Sequence, residues 1–262
     1  MNSIAGHSRI PLKLTVLGAV CAAAVVLILF VPRMAQDELY HDFADQRTVL
    51  GIPHFWNTVT NLPFVLVGLA GLRLCLRRIP EGGLNELKTV YATFFAGVTL
   101  IAFGSAYYHL GPSTATLLWD RLPMSIAFLA LFAAVVGESI SPAWGRKLLI
   151  PLLVAGLASV IYWAVSEARG LGDLRVYALV QFLPIVLIPL ILLMFGSPLT
   201  GAGYLWAILL TYAVAKAAEH FDGTLLELTG ILSGHSIKHL LSGLATFWML
   251  VALNRRRRAG AG

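Results

Sequence analysis

Apolar residues in this sequence fall into long runs separated by short polar stretches, without the one-sided stripe of a soluble helix. A run of about 20 apolar residues has the length of a helix that crosses the hydrocarbon core of a bilayer. The pattern predicts an all-α fold, a polytopic transmembrane helix bundle. Its predicted spans lie near residues 12–32, 57–79, 88–109, 115–137, 147–166, 174–195, 202–218 and 235–254.

The first apolar run has two interpretations. Arg9 and Lys13 precede or enter it, as basic residues do in a secretory signal peptide. Its apolar stretch is long, however, and no clean small-x-small cleavage site ends it. We therefore expect an uncleaved transmembrane helix.

Composition and charge agree with a membrane protein. Only 12% of the residues are charged, about half the fraction of a soluble domain. The net charge of +6 does not require nucleic acid as a partner, because much of it lies in the four arginines 255–258. Basic residues favour the cytoplasmic side. The tail and the basic loops 73–88 and 138–147 are therefore predicted to be cytoplasmic, and the acidic loops 33–56 and 219–234 to face the other side.

Five polar residues fall near helix ends on one predicted side of the membrane. Ser105 and His109 are four residues apart at the end of the third span, and Asp120 opens the fourth. His235 and His239 are also four residues apart, at the start of the last span. This spacing places each pair on one helix face. The topology brings all these groups to the non-cytoplasmic leaflet.

Three neutral histidines suit a catalytic zinc site, which keeps one coordination position for water. Asp120 is a candidate to accept the proton of that water and pass it to a leaving nitrogen. Ser105 is a candidate hydrogen-bond donor to the developing oxyanion. A single HxxxH pair in a membrane helix often only hydrogen-bonds a neighbouring helix. The third histidine and the aspartate at the same depth favour a metal site.

These residues lie in stretches that resemble the motifs of the alkaline ceramidases, in the CREST group of seven-helix membrane hydrolases. The stretches are Phe55-Trp-Asn-Thr-Val-Thr-Asn61, Gly104-Ser-Ala-Tyr-Tyr-His109, Asp120-Arg-Leu-Pro-Met124 and Gly234-His-Ser-Ile-Lys-His-Leu240. The resemblance spans about residues 55–250 in the right order. It implies a seven-helix core, zinc held by His109, His235 and His239, and hydrolysis of the ceramide amide bond. Asp120 and Ser105 then take the catalytic roles.

The resemblance divides the chain into three parts. Residues 1–33 are expected to form an additional N-terminal transmembrane helix, 34–254 the seven-helix ceramidase-like core, and 255–262 a basic cytoplasmic tail. Short loops and cytoplasmic positive charge suit a bacterial inner membrane. The sequence does not indicate an oligomeric state.

The segment before Phe55 departs from the family pattern. Eukaryotic alkaline ceramidases carry an acidic calcium-binding segment there, and Asp42 and Asp45 match two of its ligands. Arg47 supplies no ligand oxygen, and His54 replaces an acidic residue. The alternative to a calcium site is a solvated loop whose aspartates pair with Arg47 or cap a helix.

The sequence therefore predicts a zinc-dependent membrane amidase that hydrolyses ceramide-like lipids to a sphingoid base and a fatty acid. Two alternatives stay open. One is a related zinc lipid acyl hydrolase, such as a lipase, and the other is a receptor or transporter with a structural zinc. A fourth protein ligand on the metal, or no cavity beside it, favours the receptor or transporter.

Three further polar residues have structural explanations. Asn57 and Asn61 are expected to hydrogen-bond between helices. Lys216 is expected to pair with Glu219 or to extend toward the membrane surface.

Overall fold

The computed structural model describes residues 10–77 and 80–258. Arg9 and Arg78, which carry part of the predicted charge pattern, lie outside the described residues, as do residues 259–262 of the tail. Most of the described residues lie in α-helices. The helices are α1 (Ile10–Phe30), α2 (Phe55–Val59), α3 (Leu62–Arg77), α4 (Lys88–Leu110), α5 (Thr114–Ser139), α6 (Pro142–Ala168), α7 (Arg175–Met194), α8 (Gly203–His220), α9 (Asp222–Thr229) and α10 (Gly234–Arg255).

Seven helical segments of the described chain are long and apolar enough to cross a membrane, which confirms a polytopic helical bundle. They are Ile10–Phe30, Phe55–Arg77, Asn85–Leu110, Thr114–Ser139, Pro142–Ala168, Arg175–Met194 and Gly234–Arg255.

The predicted span 202–218 becomes α8, which is not among those seven segments. Its last two turns contain the polar residues Lys216, Glu219 and His220. It nevertheless follows α10 in the opposite direction along most of its length. Gly234 at the start of α10 touches the backbone of Ala218 near the end of α8, and Trp248 Nε1 donates to Thr211 Oγ1 at 3.2 Å. Helix α8 therefore covers the same depth as α10.

The helices form a ring with one weak seam. Helix α10 packs on α8 and α3, α3 on α4, α4 on α5, and α5 on both α6 and α7. Helices α7 and α8 follow each other in the chain but do not pack closely. Helix α1 rests on α7 outside the ring, and most of its side chains are exposed. The seam between α7 and α8 borders the cavity described below.

Two glycines set the distance between helices near the polar end of the bundle. A Cβ at Gly104 would lie 2.1 Å from the carbonyl oxygen of Trp119, and a Cβ at Gly234 would lie 2.0 Å from that of Ala218. Only glycine allows backbones to approach so closely in a membrane bundle. These contacts bring α4 against α5, and α10 against α8, beside the predicted site residues.

The opposite end of the bundle holds a buried ion pair. Arg256 donates to both carboxylate oxygens of Glu138, at 2.8 and 2.7 Å, and Tyr91 donates to the same carboxylate at 2.7 Å. Each charged residue is 2% exposed. Arg256 belongs to the predicted basic cytoplasmic tail but is buried, because its guanidinium closes α5 against the end of α10.

Candidate active site

Three buried histidines meet at one end of the bundle. His109 lies in the last turn of α4, and His235 and His239 lie in the first turns of α10. One ligand nitrogen from each lies within 4.8 Å of the others, and the Nε2 atoms of His109 and His235 are 3.3 Å apart. The structure thus brings together the histidines that the sequence placed at one depth.

The start of α10 is fixed by two polar side chains. The Ser233 hydroxyl accepts a hydrogen bond from the backbone N–H of Ser236 at 3.2 Å. The Asp222 carboxylate accepts one from the N–H of His235 at 2.7 Å. Both satisfy amide groups that have no partner within the helix. The helix therefore begins where His235 and His239 face His109.

The three nitrogens are compatible with a bound metal ion such as zinc. Tetrahedral zinc with Zn–N bonds of about 2.0–2.1 Å separates its nitrogen ligands by about 3.3 Å, the distance between His109 and His235 Nε2. Within the residues that the structure describes, no fourth His, Cys, Asp or Glu joins the group. Three imidazoles without a fourth protein ligand match the donor set of catalytic zinc, in which water takes the remaining position.

A threonine orients His239. Thr60 Oγ1 lies 3.1 Å from His239 Nδ1 and donates its own hydrogen to the carbonyl oxygen of Trp56 at 2.5 Å. The hydroxyl is therefore an acceptor for Nδ1–H, which leaves the Nε2 lone pair free for a metal. Sequence reasoning missed Thr60, although it lies inside the quoted stretch 55–61 and one turn after Trp56.

A lysine and a glutamate stand beside His235. Lys238 Nζ lies 3.0 Å from His235 Nε2 and 3.0 Å from a carboxylate oxygen of Glu219. Lys216 also bonds Glu219, which confirms the expected pair. Glu219 thus offsets two cations next to the histidines. Sequence analysis assigned no role to Lys238, because the partners of its side chain depend on how α8 packs against α10.

Asn57 makes the expected contact between helices, because its side-chain oxygen accepts a hydrogen bond from Ser236 Oγ at 2.6 Å. Asn61, in the turn between α2 and α3, donates to the backbone carbonyl of Asn57 at 2.8 Å, and its side-chain nitrogen lies 3.4 Å from His239 Nδ1. Both asparagines therefore hold the start of α10 against the α2–α3 segment.

Ser105 and Asp120 form a pair beside the histidines. The Ser105 hydroxyl lies beside the Asp120 carboxyl and can donate a hydrogen bond to it. Ser105 is 2% exposed and lies one turn before His109, whereas Asp120 is half-buried. The close approach at Gly104 holds the two helices that carry them. A carboxyl group, a hydroxyl and the His239 imidazole therefore border one cavity.

The cavity has a volume of about 400 Å³ and runs from these polar groups into the bundle. Its body is apolar, with Phe64, Phe94, Ile101, Phe128, Leu131 and Ile188 among its walls. Its other end is polar, with Ser105, Asp120, Arg121, Glu219, Lys238 and His239. Residues of α7 and α8 form one side, at the weak seam between these helices. The shape suits an amphiphile with its polar group at the histidines.

The 31–54 segment covers the histidines. The ring of Phe43, 5% exposed, lies 4.8 Å from the ring of His109 and 4.3 Å from that of His235. Next to it, His41 Nδ1 is 2.7 Å from the Tyr108 hydroxyl. Burial lowers the pKa of His41 below its usual value, so the ring is neutral at pH 7. The cover excludes water from the side of the histidines that faces away from the cavity.

The two aspartates proposed for calcium have protein partners. Both carboxylate oxygens of Asp45 accept from Arg47, at 2.7 and 2.9 Å, and Asp42 accepts from Gln46 at 2.7 Å. Burial raises the pKa of Asp45, but the hydrogen bonds and charge of Arg47 outweigh it and lower that pKa overall. The pairing matches the alternative of a loop tied by Arg47. Calcium binding stays a prediction that no observation supports.

A comparison with family models decides the relationship. The ceramidase family model matches residues 48–259, most of the chain. The chain belongs to the ceramidase family. No curated protein matches the sequence. The family match confirms the resemblance carried by the four motifs.

The family assignment makes the protein a ceramide-hydrolysing membrane enzyme, a hydrolase of amide bonds whose substrate is a lipid. In this ceramidase the matched range begins after α1 and after Asp42 and Asp45. It includes the three histidines, which are compatible with a bound metal ion. The identity of the metal and the individual roles of Ser105 and Asp120 are predictions from chemistry.

Proposed function

We propose that this ceramidase is a zinc-dependent amidase that hydrolyses ceramide-like lipids to a sphingoid base and a fatty acid. The observation that carries the proposal is the meeting of three buried histidine nitrogens with the Ser105–Asp120 pair at the polar end of an apolar cavity. His109, His235 and His239 would hold the ion. A bound zinc lowers the pKa of a water molecule and polarises a carbonyl oxygen.

The cavity accounts for binding of the lipid. An acyl chain fits among the phenylalanines and aliphatic side chains of its body, where apolar burial supplies the binding free energy. The amide then lies at the polar end, within reach of Asp120 and Ser105. The weak seam between α7 and α8 gives an amphiphile a path from the bilayer that does not cross the Phe43 cover.

Asp120 has the position of a general acid and base. Its carboxylate accepts a proton from the attacking water as the new C–O bond forms, and it returns that proton to the nitrogen as the C–N bond breaks. The products are a carboxylic acid and a free amine. The surrounding apolar walls keep bulk water from competing with this proton transfer.

Ser105 acts together with Asp120. In the resting protein its hydroxyl lies beside the carboxyl group of Asp120 and can donate a hydrogen bond to it. Once Asp120 has taken a proton, it holds this hydroxyl less strongly, and Ser105 can donate to the oxygen that gains negative charge. Ser105 thus orients the base first and supports the oxyanion afterwards.

The proposal keeps the predicted sidedness. The site opens toward the extracytoplasmic leaflet, and the Arg255–Arg258 end lies on the cytoplasmic side of a bacterial inner membrane. The proposal also keeps residues 1–33 as an added transmembrane helix on a core of 34–254. Support comes from the basic residues at the end opposite the histidines, among them Lys88, Arg146 and Lys147.

The test uses His235→Ala, His239→Ala and Asp120→Asn in purified protein. Each histidine variant should lose bound zinc and hydrolysis of N-palmitoylsphingosine, whereas Asp120→Asn should keep zinc and lose hydrolysis. Zinc retained at the wild-type level in both histidine variants would refute the metal assignment. A panel with a phospholipid and an acyl-homoserine lactone separates amidase from acyl hydrolase. Zinc binding without hydrolysis of any lipid would instead favour a structural zinc in a receptor or transporter.

A further inference from the structure

Arg121 is a buried cation at the polar end of the cavity. It follows Asp120 in the second turn of α5, lines the cavity, and is 7% exposed. A charge so far from water is costly unless a partner compensates for it. Its surroundings therefore indicate what the cavity binds.

The guanidinium has no anionic partner. One nitrogen, Nη2, donates to the side-chain oxygen of Gln36 at 2.7 Å. The rings of Trp163 and Tyr177 lie 4.1 and 4.7 Å from the guanidinium carbon, which is cation–π distance. Within the described chain no carboxylate approaches it closely enough for an ion pair, and the buried Nη1 atom lacks a hydrogen-bond partner.

The other charged groups of the cavity are paired among themselves. Glu219 bonds both Lys216 and Lys238. Asp120 lies beside Ser105 and has its proposed role in the reaction. With these groups in their ordinary ionised forms, three cations and two carboxylates line the cavity. The charge surplus is positive, and the cation without a close carboxylate is Arg121.

A planar guanidinium with free N–H groups matches the two oxygens of a carboxylate or phosphate better than it matches a neutral hydroxyl. The aromatic rings fix the plane of the guanidinium, so little side-chain entropy is lost when an oxyanion binds. Because Arg121 and Asp120 both line the polar end of the cavity, the oxyanion would lie in the same pocket as the amide that is cleaved.

We propose that Arg121 binds an oxyanion of the lipid, so that this enzyme prefers N-acyl lipids with an anionic headgroup to neutral ceramide. The inference rests on the proposed amidase function and specifies its substrate class. The same chemistry could recognise a headgroup carboxylate or phosphate in the substrate, or the carboxylate of the fatty acid product. The measurements below separate these sources.

The first experiment compares three amides that share a palmitoyl chain: N-palmitoylsphingosine, its 1-phosphate, and N-palmitoylglycine. Wild-type protein should give a higher kcat/KM with one or both anionic amides. Arg121→Gln should lower the ratio of anionic to neutral kcat/KM by about ten- to a hundredfold, the factor expected for a hydrogen bond to a charged group. Arg169→Gln removes an exposed arginine at the same end of the bundle and should leave the ratio unchanged.

The second experiment measures binding without turnover, as the shift in melting temperature with palmitate, hexadecyl phosphate or hexadecanol. Palmitate or hexadecyl phosphate should stabilise the wild type more than hexadecanol does, and Arg121→Gln should remove that difference. Preference for palmitate alone, without preference among the amides, assigns Arg121 to product binding. Equal behaviour of anionic and neutral lipids in both experiments overturns the inference. If no amide is hydrolysed, the amidase function fails, while the melting shifts still decide the role of Arg121.

Discussion

Replacing Thr60 by valine removes one hydroxyl next to His239 and keeps the side-chain shape. In the wild type this hydroxyl donates to the Trp56 carbonyl, 2.5 Å away, and so faces His239 Nδ1 with a lone pair at 3.1 Å. Without it, His239 loses the hydroxyl acceptor beside Nδ1 and keeps only weaker restraint from the Asn57 backbone and the Asn61 amide, so the imidazole turns or changes tautomer more easily. The metal should then bind less tightly.

Hydrogen-bond partners of metal-binding histidines contribute about ten- to a hundredfold in metal affinity, or about 1.4–2.8 kcal/mol. Zinc competition against a chelator measures the loss directly. Thr93→Val is the matched control, because Thr93 also bonds a carbonyl one turn earlier, at 2.9 Å, near the other end of α4. The reasoning is refuted if Thr60→Val and Thr93→Val have the same zinc affinity as the wild type.

Two further predictions concern stability. Glu138→Ala leaves the buried Arg256 guanidinium without its anion and should lower the free energy of unfolding by about 3–5 kcal/mol. The control Glu81→Ala removes an exposed ion pair and should lower it by at most about 1 kcal/mol. Equal losses for the two variants in denaturant titrations would contradict this prediction. Arg47 lowers the pKa of Asp45. The ion pair should therefore stabilise the fold fully above the ordinary carboxyl pKa of about 4, and its contribution should be lost as the pH falls through the lowered pKa. An Asp45→Asn variant whose stability depends on acid pH as in the wild type would rule this out.

The sequence was informative where one physical rule dominates. Apolar runs of about 20 residues indicate membrane helices, and the distribution of lysine and arginine indicates which helix ends lie on the same side. Those two rules alone placed His109, Asp120 and the His235–His239 pair at one depth, and the 3.3 Å contact between His109 and His235 agrees. Spacing of four residues then identified which faces carry the ligands.

The remaining parts depend on how helices rotate against each other, which apolar periodicity in a membrane does not determine. Thr60, Lys238 and Phe43 reach the histidines from three different segments, and no local pattern marks them. Four arginines in a row gave no sign that Arg256 alone is buried. Its guanidinium pairs with Glu138, a residue far away in sequence, at the other end of the bundle.

The cavity could not be predicted from the sequence either, although two residue patterns in the sequence point to its surroundings. Arg121 stands in a membrane helix beside a predicted catalytic aspartate, and an intramembrane arginine is a functional candidate by default. Pro184 and Pro189 lie inside α7, next to the seam, where each lacks the backbone N–H of a regular helix. Neither signal gives the volume or the polar and apolar ends of the cavity.

The central claim is that three histidines hold a zinc ion that amide hydrolysis requires. The most direct measurement removes metal from purified wild-type protein with a chelator, adds zinc back in steps, and follows bound zinc and hydrolysis of N-acyl lipids in the same samples. Activity should disappear with the metal and return in proportion to bound zinc, reaching its maximum at one ion per chain. Full hydrolysis by metal-free protein would contradict the account.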